Sequence, residues 1–595
     1  MPATPNISYI DTRGANTEGV PFTSAVINGL APGGGLYVPT EIPQLNTDQI
    51  CAMVNMTYAE RAAAIYKIFG VDLECGIVDK LMQEAYGEQW DTTEICPITT
   101  VADGIHVLEL WHGPTCAFKD LALQSLPRFF SASARQLRRA RKIDHDFLIL
   151  VATSGDTGKA ALEGFCDVRG VSIAVMYPHG GVSDIQYKQM ATQKGSNVKV
   201  WAVQGNFDDC QTAAKKVFSD KEFAAKLQGD YGIALSSANS INWGRLLPQI
   251  VYYVSAYSEM VNTGKVEAGD PIDVCVPTGN FGNILAAWYA RAMGTPIQRL
   301  ICASNENRVL TDFINTGTYD ISDRKFVLTP SPSMDILVSS NLERQLFELS
   351  GRSAEAVRGW MADLAANRKF RVDEETFAKV REVFVSDSVS SEECLETIKE
   401  IHDASGYLVD PHTAVAMKVA ERMRGENPVL VASTAHWAKF GENVWRALHG
   451  LKPGEPLPAE IAALTGCQLN ALIAEEANSW FTPEQMAVFA EHEAILAAEA
   501  EAEAAAAEKA AKAEDEDRRN GGLYGGGKGK KPAAERFMFS KLGVRRGHLM
   551  DTSVRPTYVP KPLAELDSLP IRFTEVITPE VPTVEACVCD FLKSL

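Results

Sequence analysis

The run Phe147-Leu148-Ile149-Leu150-Val151-Ala152 is apolar throughout, and a glycine-rich turn and a helical pattern follow it. A strand with no polar face must be covered on both sides, which points to a parallel sheet with helices packed over it. The same unit recurs. Val171 to Met176, Val198 to Val203, Ile272 to Val276, Arg299 to Ala303 and Val429 to Ala432 read as strands. Lys159 to Cys166 and Ile284 to Ala292 read as helices behind two of the turns. This alternation from about 96 to 450 predicts an α/β fold, with two parallel-rich layers as the walls of a cleft.

The rest of the chain divides around that core. Residues 1–95 mix turn signals with short apolar runs. Ala31 to Pro39 reads as a turn feeding a strand, and Met53 to Phe69 and Ile77 to Tyr86 as helices, giving a small N-terminal domain. The core spans 96–455, with a smaller α/β domain at about 122–235 inserted in the larger one. Residues 456–558 read as a low-complexity, partly disordered insertion. Glu491 to Arg519 holds ten acidic and four basic side chains among many alanines, with little apolar surface to bury. A glycine-rich linker and a basic stretch from Lys528 to Arg546 follow, a surface insertion that could dock an unidentified protein partner. Phe573 to Val576 reads as a strand and Thr583 to Leu592 as a helix, so 559–595 returns to the core.

With 595 residues, 46% of them hydrophobic, the chain can build several domains. A formal net charge of -19 argues against a general nucleic-acid binder, which needs clustered Lys and Arg, but leaves room for a small anionic substrate in a local basic pocket. The 12 cysteines lack regular spacing and read as free thiols in a reducing compartment, with no metal site. No secretory signal and no membrane-length apolar run are evident, so a cytoplasmic protein is expected.

The chemistry centres on Trp111-His112-Gly113-Pro114-Thr115-Cys116-Ala117-Phe118-Lys119-Asp120. One lysine in mostly uncharged, partly aromatic surroundings suits an aldehyde cofactor held as a Schiff base, and a lowered amine pKa helps it react. Two glycine turns stand between a strand and a helix: Thr153-Ser154-Gly155-Asp156-Thr157-Gly158 and Thr278-Gly279-Asn280-Phe281-Gly282-Asn283. Backbone N–H groups at a helix start attract anions. Neither turn is a Walker or dinucleotide motif. Either one alone is more often structural; the pair, with the lysine, favours a phosphate-bearing cofactor.

These segments, with Gly34 to Pro39, Ser240-Ile241-Asn242-Trp243-Gly244-Arg245, Ser339 to Arg344, and Ala432-Ser433-Thr434-Ala435-His436 with Lys439-Phe440, resemble the threonine synthase family of fold type II pyridoxal-phosphate enzymes. The resemblance runs from Tyr9 to about Gly450 and resumes near Pro562. It implies a tryptophan synthase beta-like fold and pyridoxal 5'-phosphate on Lys119. Gly279, Asn280, Phe281, Gly282 and Asn283 would cradle the cofactor phosphate, and Thr434 would face its ring nitrogen. Ser154, Asp156 and Thr157 would line the substrate side, with Asn242 and Arg245 as candidates for the substrate's phosphate or carboxylate. The implied reaction turns O-phospho-L-homoserine and water into L-threonine and phosphate, in a cleft that closes over its substrate.

Alternatives remain open on the residues alone. A related phospho-lyase would release a keto acid, and a non-catalytic scaffold would use the insertion to bind a partner. His112 and His436 serve either to orient loops or to move protons, and Arg245 could simply pair with an acidic neighbour. Two features depart from the family pattern: the insertion, and Trp437 where relatives often carry proline.

Overall fold

The computed structural model describes residues 7–74, 76–153, 155–491, 494, 498 and 554–595. Two parallel-rich sheets dominate. The larger has six strands: β3 (Ile98–Ala102), β4 (Ile105–Glu109), β9 (Ile272–Pro277), β10 (Ile297–Ser304), β13 (Phe384–Ser388) and β14 (Val429–Ser433), in the order β13-β10-β9-β14-β4-β3. All its neighbours are parallel except β3 and β4. The second sheet is parallel throughout, in the order β15-β7-β6-β5-β8. It holds β5 (Asp146–Ala152), β6 (Val171–Pro178), β7 (Val198–Val203), β8 (Ile233–Ser236) and β15 (Val576–Ile577). Antiparallel pairs β1 (Tyr9–Asp11) with β2 (Tyr37–Pro39), and β11 (Thr318–Asp320) with β12 (Lys369–Arg371), complete the strands.

The uniformly apolar strands lie where full burial demands them. Every residue of β6, β9 and β14 is buried. The long helix Trp243–Asn262 packs between the N-terminal segment and the larger layer, with Trp243 against Tyr9, Phe69 and Tyr289. Arg344, fully buried, ties these parts together: it donates to Tyr37 O at 2.9 Å, Ile241 O at 2.5 Å and Asn341 Oδ1 at 2.6 Å.

Three local readings change. The helical run at Met53 breaks into a short turn (Met53–Asn55) and a helix (Tyr58–Ile68), because Thr57 takes the N-cap and closes a capping box with Glu60. The last strand is Val576–Ile577, not Phe573 to Val576, and pairs with Ala202 and Val203. Residues 456–491 are not low-complexity surface: the helix Gly466–Asn478 buries Leu469, Ile473 and Ala477. Their four-residue spacing makes one apolar face, which composition conceals. The acidic tract beyond Ala498 and the basic stretch to Arg546 lie outside the described residues. The final helix, Val581–Lys593, buries Val584, Val588 and Phe591 beside Trp201 and Met176 of the five-stranded sheet.

Candidate active site

The residues singled out from the sequence collect where strands of both sheets end. Open parallel sheets place ligands at the carboxyl ends of their strands. Lys119 opens the helix Lys119–Leu123 after β4. Asp156 opens the helix Asp156–Phe165 after β5, Gly279–Asn283 follow β9, and Thr434–Lys439 follow β14. The loop before Lys119 is stitched to the one after β14. Phe118 N donates to Thr434 O at 2.8 Å, His436 N to Cys116 O at 3.1 Å, and Ala117 bridges Ala435. Lys119 is thereby fixed against Thr434, which is itself 7% exposed.

Lys119 Nζ lies 3.3 Å from Ser333 Oγ and 3.6 Å from Asp156 Oδ2. Burial lowers its pKa below the usual lysine range; Lys439 and Arg245 push the same way, against Asp156. Burial would raise the Asp156 pKa, but Lys439, Lys119 and a 3.0 Å hydrogen bond from Gln186 Nε2 hold it well below the usual carboxylate range. Gly155 is needed there: its φ is +138°, and a Cβ would meet the Gln186 carboxamide at 2.5 Å.

The turn Gly279–Asn283 approaches the same Ser333 loop that Lys119 touches. Phe281 adopts a left-handed φ of 62° and leads into the helix Gly282–Ala292. The carbonyls of the turn are tied from outside: Ser339 Oγ donates to Gly279 O at 2.8 Å and Asn341 N to Asn280 O at 3.0 Å. Among the described residues, no acceptor meets the backbone N–H groups of Gly279 to Asn283. Asn283 Nδ2 is buried and unpartnered too, while its amide oxygen accepts from the Tyr253 hydroxyl. A cluster of free N–H donors at a helix start suits a phosphate. A Cβ at Gly279 would lie 2.8 Å from Ser333 O, so the cradle and the Ser333 loop approach too closely for any side chain.

Other candidates fare differently. Thr157 is half-buried beside Asp156; Ser154 lies outside the described residues. Arg245 is buried, gives Nη1 to Ala238 O at 2.7 Å, keeps an unpartnered Nε, and burial brings its pKa down to about 10. No carboxylate pairs with it among the described residues. Asn242 is spent on structure: its Nδ2 donates to Val26 O at 2.8 Å and its Oδ1 caps the long helix by accepting from Gly244 N at 2.9 Å. His112 is pinned at both nitrogens, by Asp91 (2.6 Å) and Glu109 (2.9 Å), and stacks on Trp111. His436 accepts from Ala438 N at 3.2 Å through Nδ1, and burial keeps it neutral.

Several neighbours of Lys119 carried no separate sequence signal. Ser333 N donates to His412 Nε2 at 3.0 Å, and His412 Nδ1 meets Asp410 Oδ2 at 2.5 Å. Asp410-Pro411 reads as a helix start, but nothing local places it near residue 333. Trp437 donates its indole N–H to Thr557 Oγ1 at 2.6 Å, so the chain's return beyond residue 553 braces the turn after Thr434.

Three family models match in chain order: threonine synthase N terminus over 8–86, pyridoxal-phosphate dependent enzyme over 93–434, and threonine synthase, C-terminal, over 413–476. Threonine synthase of Pseudomonas aeruginosa is 39% identical over 467 residues, 77% of this chain and 93% of its own. The chain belongs to the threonine synthase family of pyridoxal-phosphate-dependent enzymes. Another member, human "Threonine synthase-like 1", is 44% identical over 436 residues, 72% of this chain; the match spans only 58% of that protein's length. The crystal structure of PLP-bound threonine synthase from Brucella melitensis superposes with a TM-score of 0.69 at 39% identity, covering 76% of this chain and 93% of its own. The fold is thus that of the fold type II enzymes, with the added N-terminal segment of this family. Among the described residues no helix is long and apolar enough to cross a membrane.

Proposed function

We propose that this chain is a threonine synthase (EC 4.2.3.1) that converts O-phospho-L-homoserine and water to L-threonine and phosphate. The observation that carries the reading is one buried amine, Lys119, and a turn of unpaired backbone N–H groups, Gly279–Asn283, that both approach the same residue, Ser333. Lys119 would hold the aldehyde carbon of pyridoxal phosphate, Gly279–Asn283 its phosphate, and Thr434 would face its ring nitrogen. Bound there, the cofactor supplies an electron sink beside the substrate's α-carbon. The five-stranded layer acts as the smaller catalytic domain, and residues 1–95 as a separate N-terminal one.

The chain's own residues do the rest. Lys119 Nζ, whose pKa burial lowers, removes the α-proton and returns it later. Arg245, with its free Nε, and Thr157 meet the substrate's leaving phosphate as its negative charge grows. Asn242 is left out of this set, because Nδ2 is already engaged by Val26 O and Oδ1 by Gly244 N at the start of the long helix. The buried walls around Asp156 and Thr434 exclude water until the phosphate has left.

The test is phosphate release from O-phosphohomoserine by the purified chain, with the amino-acid product identified in the same tube. Equal phosphate and threonine, both abolished in Lys119→Ala, is the expected result. Phosphate with a keto acid and ammonia would replace this reading with a phospho-lyase.

A further inference from the structure

Two buried lysines face one carboxylate in this site, and their partners differ. Lys439 Nζ is fully enclosed. It donates to Thr115 O at 2.7 Å and Gln189 Oε1 at 3.0 Å, and lies 3.2 Å from Asp156 Oδ1. Gln189 Nε2 donates to the same Thr115 carbonyl at 3.4 Å, which fixes the amide with its oxygen toward the lysine. An ammonium has three donors and no acceptor, and these three oxygens saturate it. The backbone is held as well: Lys439 N donates to His436 O and Ser183 Oγ to Lys439 O. Lys119 is held more loosely. Its carboxylate contact is 3.6 Å, and its other neighbour, Ser333 Oγ, can donate as readily as accept.

We propose that Lys439 is the permanent counter-ion of Asp156, a positioning residue whose fixed charge leaves Lys119 as the amine of the site free to shed its proton. The proposal rests on reading Lys119 as the cofactor-holding amine. The groups acting on Lys119 are Asp156 from the helix after β5, Arg245 from the long helix and Lys439 from the turn after β14. His412, on the helix Pro411–Met423, acts on Asp156. Asp120, Cys116 and His436 face Lys439. Of these, Asp156 is the group that favours a proton on Lys119. Without Lys439 more of its charge would fall on Lys119 and favour the ammonium, which neither attacks a carbonyl nor removes a proton.

The measurement is the rate at which full-length, cofactor-stripped protein forms its lysine-linked absorbance band with pyridoxal phosphate, from about pH 6 to about pH 9.5. Lys439→Met keeps the length and removes the charge. Its midpoint is expected to move to higher pH, with the rate at neutral pH falling about tenfold. Lys439→Met/Asp156→Asn, which removes both charges, is expected to return the midpoint toward that of the unaltered chain. A midpoint unmoved in the single variant, or not rescued in the double, overturns the proposal. If Lys439→Met does not fold, Asp156→Asn alone is expected to move the midpoint to lower pH, and an unmoved midpoint refutes it equally. Absence of the band in the unaltered chain overturns the cofactor reading and this inference with it. The predicted shifts without threonine production support the inference and count only against the substrate.

Discussion

His112 is expected to stay protonated well above neutrality. Burial alone would favour its neutral form, but Asp91 at Nδ1 and Glu109 at Nε2 outweigh it and carry the pKa from 6.5 to about 9. That difference corresponds to about 3 kcal/mol in favour of the imidazolium in the folded chain, an upper figure because the Asp91 side chain is 34% exposed. Because the folded pKa is raised, this stabilisation is fully present below 6.5 and disappears as pH climbs through about 9. The cluster is well braced: Tyr407 OH and Thr99 Oγ1 donate to Glu109 Oε1, and Tyr558 OH donates to Asp91 Oδ2. The assay is C2 hydrogen exchange of individual histidines, read by mass spectrometry against pH. His112 should titrate near 9, while His436, neutral by burial, stays slow throughout. Asp91→Asn should lower the His112 midpoint to about 8, since one partly exposed partner is worth roughly one pH unit. A midpoint near 6.5 in the unaltered, folded chain would refute the argument.

Gly279→Ala puts a methyl 2.8 Å from Ser333 O, and should weaken pyridoxal phosphate binding at least tenfold by equilibrium dialysis while leaving far-ultraviolet circular dichroism intact. Thr557→Val leaves the Trp437 indole N–H without its partner, at a cost of about 1 kcal/mol. Urea unfolding followed by tryptophan fluorescence should show an earlier midpoint, and an unchanged one would mean that the contact carries no energy.

Local pattern made the layers legible. The strands Phe147 to Ala152 and Val429 to Ala432 could be read because a fully buried parallel strand must be apolar at every position, a demand met within one short segment. The turn Gly279–Asn283 was legible for a similar reason: a strand, a glycine and a helix start stand together in sequence. Composition misled where a local face was hidden among alanines and acids, as in the helix Gly466–Asn478, although Leu469, Ile473 and Ala477 carry the right spacing. The motifs brought Lys119, Thr434 and Asp156 to one place.

The roles of polar side chains were decided only by the tertiary structure. In sequence Asn242 stands as a ligand candidate and Lys439 only as part of a motif. Folding satisfies the Asn242 amide with Val26 and Gly244, and the Lys439 amine with Thr115, Gln189 and Asp156. Sequence by itself determined where the strands, the glycine turns and the Lys119 motif stand, because burial pattern and turn chemistry are properties of neighbouring residues. Which lysine is ringed by acceptors, and which amide is already engaged, depends on groups supplied by remote segments, and only the folded chain brings those within hydrogen-bond distance.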